Sequence, residues 1–148
     1  MADPENQSVD DDDLSRVSGE LVLNDVGKEI HSLHEVILGA VSSRGFDEPS
    51  SFAIRLALEE AVANAFRHGN GSDVSKCVRV EYEIDVERIW IAVEDEGGGF
   101  DPDAVPDPTV DENLEIPSGR GIMLMRAYMT RVEIKPPGNR IEMIYTRD

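Results

Sequence analysis

The chain has 148 residues and 40% hydrophobic content, which predicts one globular domain with a single core. No apolar run approaches the roughly 18 residues of a membrane span. The N-terminus is acidic, without the apolar stretch of a signal peptide. The single cysteine, Cys77, cannot form an internal disulfide, so a reducing, cytoplasmic location without membrane contact is expected. The net charge of −17 starts in residues 1–15, where Asp3, Glu5 and Asp10 to Asp13 face no Lys or Arg; the remaining 25 acids against 14 bases still leave −11. Such a surface repels a phosphate backbone, so direct nucleic-acid binding is not expected. It suits a partner with basic patches, or serves solvation alone.

In chain order, residues 1–16 are polar and predict a disordered tail. Glu20 to Leu23 is a short strand. Asn24 or Asp25 can cap a helix to about Ser43, with Val26, Ile30, Leu33, Ile37 and Val41 at helical spacing, ended by Arg44-Gly45-Phe46. Ser50 or Ser51 then caps a second helix through about Arg67, closed by Gly69-Asn70-Gly71. Val78, Val80, Tyr82 and Ile84 alternate with charged residues, and Ile89, Ile91 and Val93 repeat the pattern after a tight turn, which predicts an antiparallel hairpin. Residues 97–118 hold four prolines and three glycines and read as a long loop of the kind that serves as a lid. A helix over about Gly121 to Met129 and a hairpin of Arg131 to Lys135 with Arg140 to Thr146 complete the chain. The order β-α-α-β-β-loop-α-β-β implies a mainly antiparallel sheet with helices on one face, an α/β fold.

Three short motifs carry the chemistry. In LEEAVANAFRHGN (58–70), Glu60 and Asn64 stack one helical turn apart, with Arg67 and His68 a turn further on. A glutamate so placed can accept a proton, and an asparagine oxygen is a hard neutral ligand for Mg²⁺; alternatively, both solvate an exposed helix face. In VEDEGGGF (93–100), Asp95 continues the register of Ile89, Ile91 and Val93, so its carboxylate points toward the core and needs a donor there, of the kind an adenine amino group can supply. Gly97 and Gly99 allow backbone to pack against a planar base; an ordinary turn after a strand has the same composition. In SGRGIMLM (118–125), Gly119, Arg120 and Gly121 open a helix whose N–H groups and arginine attract phosphate, or they merely end a loop. GxxxxGK[ST] and a strand-linked GxGxxG are both absent, which removes the P-loop and Rossmann sites. His31 and His34 lack a third metal ligand at suitable spacing, and no proline follows His34-Glu35 as in a phospho-accepting histidine.

In this order the motifs resemble those of the GHKL (Bergerat-fold) ATPases, which include gyrase, MutL and the sensor histidine kinases, over about residues 20–146. Within that superfamily the chain is most similar to the small bacterial anti-sigma-factor serine/threonine kinases, which consist of this domain alone. EEAVANAFRHGN resembles their N-box, in which a Glu precedes the Asn by four; sensor histidine kinases usually lack that acid. Gyrase and MutL relatives carry a further transducer domain. The resemblance implies a two-layer α/β sandwich with about three helices on one face of a mainly antiparallel mixed sheet. It implies ATP and Mg²⁺ as cofactors, Glu60 as catalytic base and Asn64 as Mg²⁺ ligand, with Arg67 and His68 beside them at the nucleotide. Asp95 would bind the adenine amino group, with Gly97 and Gly99 shaping the base pocket. Residues from about Phe100 to Ser118 would be the ATP lid, and Gly119, Arg120 and Gly121 the phosphate-binding segment. Family members are commonly homodimers that sequester a sigma factor and phosphorylate an anti-anti-sigma (STAS-type) partner. An alternative is a nucleotide-binding module that controls a partner by docking, with weak or no phosphotransfer. One departure stands out: the family's Gly-Thr pair on the last hairpin, whose Thr supports the adenine-binding Asp, reads Gly138-Asn139 here.

Overall fold

The computed structural model describes residues 16–97 and 119–147. Strand β1 (Val17–Leu23) leads into helix α1 (Val26–Ser43) and helix α2 (Glu48–Asn64). Strands β2 (Val78–Ile84) and β3 (Arg88–Glu94) form a hairpin, and helix α3 (Gly119–Tyr128) precedes a second hairpin of β4 (Arg131–Lys135) and β5 (Arg140–Thr146). The sheet order is β1-β2-β3-β5-β4 and every described pairing is antiparallel. The expected tail lies, but for Arg16, outside the described residues, as does the expected lid.

Strand register sorts the chain into two faces. Val80 pairs with Val93 and Ile84 with Ile89, so their side chains share one face, where Ile91, Ile141 and Met143 join them. The helices cover that face with residues at three- and four-residue spacing: Leu33, Ile37 and Val41 of α1; Ile54, Leu58, Ala61 and Val62 of α2; Ile122 and Met125 of α3. The result is a two-layer α/β sandwich, with all three helices contributing to one core.

Two local details differ from the sequence expectation. Asp47, rather than Ser50 or Ser51, caps α2: its Oδ1 accepts from the Ser50 N–H at 2.9 Å, and Pro49 sits in the first turn, where its missing N–H is harmless. Ser50 is thereby buried inside the helix, and its hydroxyl bonds the Tyr145 hydroxyl at 2.7 Å. At the other end, regular α geometry stops at Asn64. Ala65–Gly69 forms a wider π-helical turn, closed by the Asn70 N–H donating to the Ala65 carbonyl at 2.8 Å.

The opposite sheet face carries charge. Arg140 on β5 reaches Glu81 at 2.7 Å, Glu94 at 2.9 Å and Glu142 at 2.9 Å, so one half-buried guanidinium ties three strands together. The three carboxylates hold its pKa above the ordinary arginine value against the opposing effect of burial. Arg140→Gln leaves those carboxylates facing one another, and is expected to cost about 1–3 kcal/mol, between the values for exposed and buried pairs. Urea unfolding checks this, and the deficit should shrink in about 1 M salt, where the repulsion is screened; a deficit that ignores salt would contradict the electrostatic account.

Candidate functional site

The last two turns of α2 set the first wall of the site. Asn64 is buried at 7% exposure, and half-buried Glu60 lies one turn before it. The N-terminal end of α3 packs across this pair through a glycine. A Cβ on Gly121 would stand 3.0 Å from both Asn64 Nδ2 and Glu60 Oε1, so any larger residue would press on both side chains. Asn64 Nδ2 is buried with no hydrogen-bond partner among the described residues. An unpaired buried amide nitrogen costs about 1–3 kcal/mol, a cost that a partner outside the described residues would relieve.

The π turn forms the second wall. It carries the Gly69 backbone directly against the Asp95 carboxylate, and the Gly69 carbonyl against Gly97. A Cβ on Gly69 would overlap the carboxylate, and one on Gly97 would overlap the Gly69 carbonyl oxygen. Asp95 is 9% exposed at the end of β3, inward as its register predicted. Its Oδ1 accepts from the Gly97 N–H at 2.7 Å. Burial pushes the carboxyl above the ordinary aspartate value and the nearby Glu94 adds to this, while the Gly97 N–H and Lys76 act in the opposite sense.

Asn139 meets Asp95 through the main chain alone. The Asp95 N–H donates to the Asn139 carbonyl at 2.9 Å, and Asn139 Nδ2 donates back to the Asp95 carbonyl at 3.1 Å. The amide that stands in place of the expected threonine therefore fixes the aspartate backbone and makes no bond to its carboxylate. Between the walls, Ala61, Ala65, Val93 and Ile141 line a cavity with Asn64, His68 and Asp95 at its polar edge; its free volume is about 10 Å³, enough for one water. A planar base needs the walls further apart.

The structure thus brings Glu60, Asn64 and Gly121 together on one side, and His68 and Asp95 around the cavity on the other, with Asn64 common to both. Gly97 does not line the cavity and meets it only through its bond to the Asp95 carboxylate. Arg67 is exposed and does not line the cavity. Gly119 opens α3, whereas Gly99, the expected lid and the Arg120 side chain lie outside the described residues. Sequence reasoning missed Asn70, which it treated as a helix terminator. Asn70 is 3% exposed; its Nδ2 donates to the Cys77 carbonyl at 2.9 Å and its Oδ1 accepts from the Glu96 N–H at 2.7 Å. The only sequence signal was an Asn between two glycines, which turn chemistry explains equally well.

Residues 27–145 match the family model described as a histidine kinase-like ATPase domain. The anti-sigma F factor of Clostridium perfringens is 36% identical over 95 residues, covering 61% of this chain and 68% of that protein. The serine-protein kinase RsbW of Bacillus subtilis is 29% identical over 105 residues, covering 66% and 64% respectively. The anti-sigma F factor of Clostridium beijerinckii is 30% identical over 83 residues, covering 55% and 58%. No described helix is long and apolar enough to cross a membrane. With a matching family model over most of its length, a sheet covered by three helices, and a glycine-backed carboxylate at the end of β3, this chain belongs to the histidine kinase-like ATPase domain family.

Proposed function

We propose that the chain is an ATP-dependent protein serine/threonine kinase that also acts as an anti-sigma factor, binding a sigma factor and phosphorylating an anti-anti-sigma partner of STAS type. Its relatives' names support the anti-sigma and serine-kinase roles. The observation that carries the nucleotide reading is the convergence of Gly121 on Glu60 and on the unpaired amide of Asn64. In this reading residues 17–148 work as one ATPase domain behind the acidic tail 1–16, in the cytoplasm and as a homodimer.

The residues present suit Mg·ATP. The Asn64 Nδ2 has no partner to give up, and the amide's oxygen and nitrogen exchange by a half-turn of the side chain, so the oxygen can take the buried position as a neutral ligand. Asn64 would hold Mg²⁺ there, and the ion would supply charge neutralisation for the phosphate oxygens. Asp95 accepts the adenine amino group, beside the Gly97 backbone and, further along, Gly99. Gly119, Arg120 and Gly121 receive the phosphates at the start of α3, with Arg67 and His68 adding positive or hydrogen-bonding groups at the rim. Glu60 takes the proton of the acceptor hydroxyl as its oxygen attacks the γ-phosphorus, and the bond to the bridging oxygen breaks to release ADP.

A second reading has its own support. Asn139 bonds the backbone of Asp95 and leaves the carboxylate without the hydroxyl partner expected there. The chain would then bind nucleotide as a docking module with little transfer. Calorimetry with Mg·ATP, then transfer of labelled phosphate onto a STAS-type partner, separates the two: binding without transfer favours the module.

Three variants test the roles. Glu60→Gln should lower transfer by about 10²–10⁴-fold while ATP affinity stays within a small factor; undiminished transfer removes the base assignment. Asn64→Ala should abolish the Mg²⁺ dependence of ATP affinity without lowering the melting temperature, because an unsatisfied amide disappears with the side chain. Asp95→Asn should lose ATP binding yet melt higher than wild type at neutral pH. The sign follows from the raised carboxyl: the folded state resists ionisation, so wild type is relatively most stable below the ordinary aspartate value near 3.8 and loses that contribution as pH rises through the folded value. The melting advantage of Asp95→Asn should therefore fade on acidification through that window, and an advantage constant with pH would refute the cause.

A further inference from the structure

Asn70 lies outside every motif role assigned above, yet it is among the most deeply buried polar side chains described, at 3% exposure. Its two amide ends serve two different segments. Nδ2 holds the Cys77 carbonyl at the entry to β2, and Oδ1 holds the Glu96 N–H just past the end of β3. Its own N–H closes the π turn on the Ala65 carbonyl. The Glu96 carboxylate returns the link by accepting from the Cys77 N–H at 2.6 Å. One side chain therefore joins the turn that carries Gly69 to the peptide that follows Asp95.

That peptide is the important one. Glu96 is the single residue between Asp95 and Gly97, whose N–H pins Asp95 Oδ1. Gly69, the residue before Asn70, backs the same carboxylate. The carboxylate is thus set on one side by a peptide that Asn70 anchors and on the other by a glycine adjacent to Asn70. A fixed carboxylate accepts a hydrogen bond from a 6-amino purine and repels the lone pairs of a 6-oxo purine, and this discrimination holds only while the carboxylate cannot turn away or recruit water.

We propose that Asn70 is the positioning residue for base selection, holding the backbone on both sides of Asp95 so that the site prefers an adenine over a guanine nucleotide. This rests on the reading of Asp95 given under Proposed function. Calorimetry of the full chain with Mg·ATP and with Mg·GTP, on wild type, Asn70→Ala, Asn70→Ser and Asn70→Asp, tests it. Wild type should prefer ATP. Asn70→Ala should lower that preference at least about tenfold, mainly by weakening ATP, with GTP affinity nearly unchanged. The isosteric Asn70→Asp keeps an acceptor for the Glu96 N–H and should recover most of the preference. Equal weakening of both nucleotides, or no change in either, overturns the proposal. Should the alanine variant fail to fold by near-ultraviolet circular dichroism, Asn70→Ser decides by the same criterion. A preference lost in Asp95→Asn but kept in the Asn70 variants defeats the positioning role alone. A wild type that binds both nucleotides alike defeats the Asp95 reading and this proposal with it.

Discussion

The site depends on one close approach: the backbone of Gly69 lies against the carboxylate of Asp95, and its carbonyl against Gly97. A regular α-helix continued past Asn64 would place Gly69 elsewhere along its axis. The π turn, with its wider ring closed at Asn70, moves the backbone sideways toward the sheet. Two residues without Cβ then allow main chain to meet main chain and carboxylate at distances that no side chain permits. The wall of the cavity follows from this contact, and so does the burial of Asp95.

The same geometry explains why the site is locally unfavourable to the fold. The Asp95 carboxyl is pushed up by burial and the Asn64 amide has no described partner, and each is a cost that a core of Val, Ile and Leu would not carry. The amide lies under the start of α3 and the carboxylate at the polar edge of the cavity, and in the proposed nucleotide reading a ligand satisfies both. Sites that resist folding and welcome a ligand are the pattern expected where function opposes stability.

The alternation of β2 and β3, the spacing of α1 and the inward register of Asp95 were legible in the sequence because each is a periodicity, and a one-residue slip would expose a whole row of Val and Ile. The stacking of Glu60 and Asn64 was legible for the same reason. The start of α2 was misread because Asp47 and Ser50 are both good caps, and only the Pro49 position decides between them. The π turn has no periodic signature. The role of Asn70 was invisible because its partners, Cys77 and Glu96, lie 7 and 26 residues away and are joined through backbone atoms, which every residue possesses. Asn139 departs from a family pattern at the level of sequence, but its bonding to the main chain of Asp95 arises only where the last hairpin meets the end of β3.

The open face of the sheet is tied to the site through strand alternation. Asn139, which brackets the Asp95 main chain, immediately precedes Arg140, whose guanidinium gathers Glu81, Glu94 and Glu142 on the far face. Glu94 in turn immediately precedes Asp95. The pairing of Glu94 with Arg140 is thus the last rung of the β3–β5 ladder before both strands turn into the site. A charged contact on one face of the sheet therefore lies one residue, along each strand, from the Asp95–Asn139 pair at the site. Asn70 secures the next peptide from the opposite direction, so Asp95 is held between an ionic rung on the sheet and an amide bridge from the helix layer.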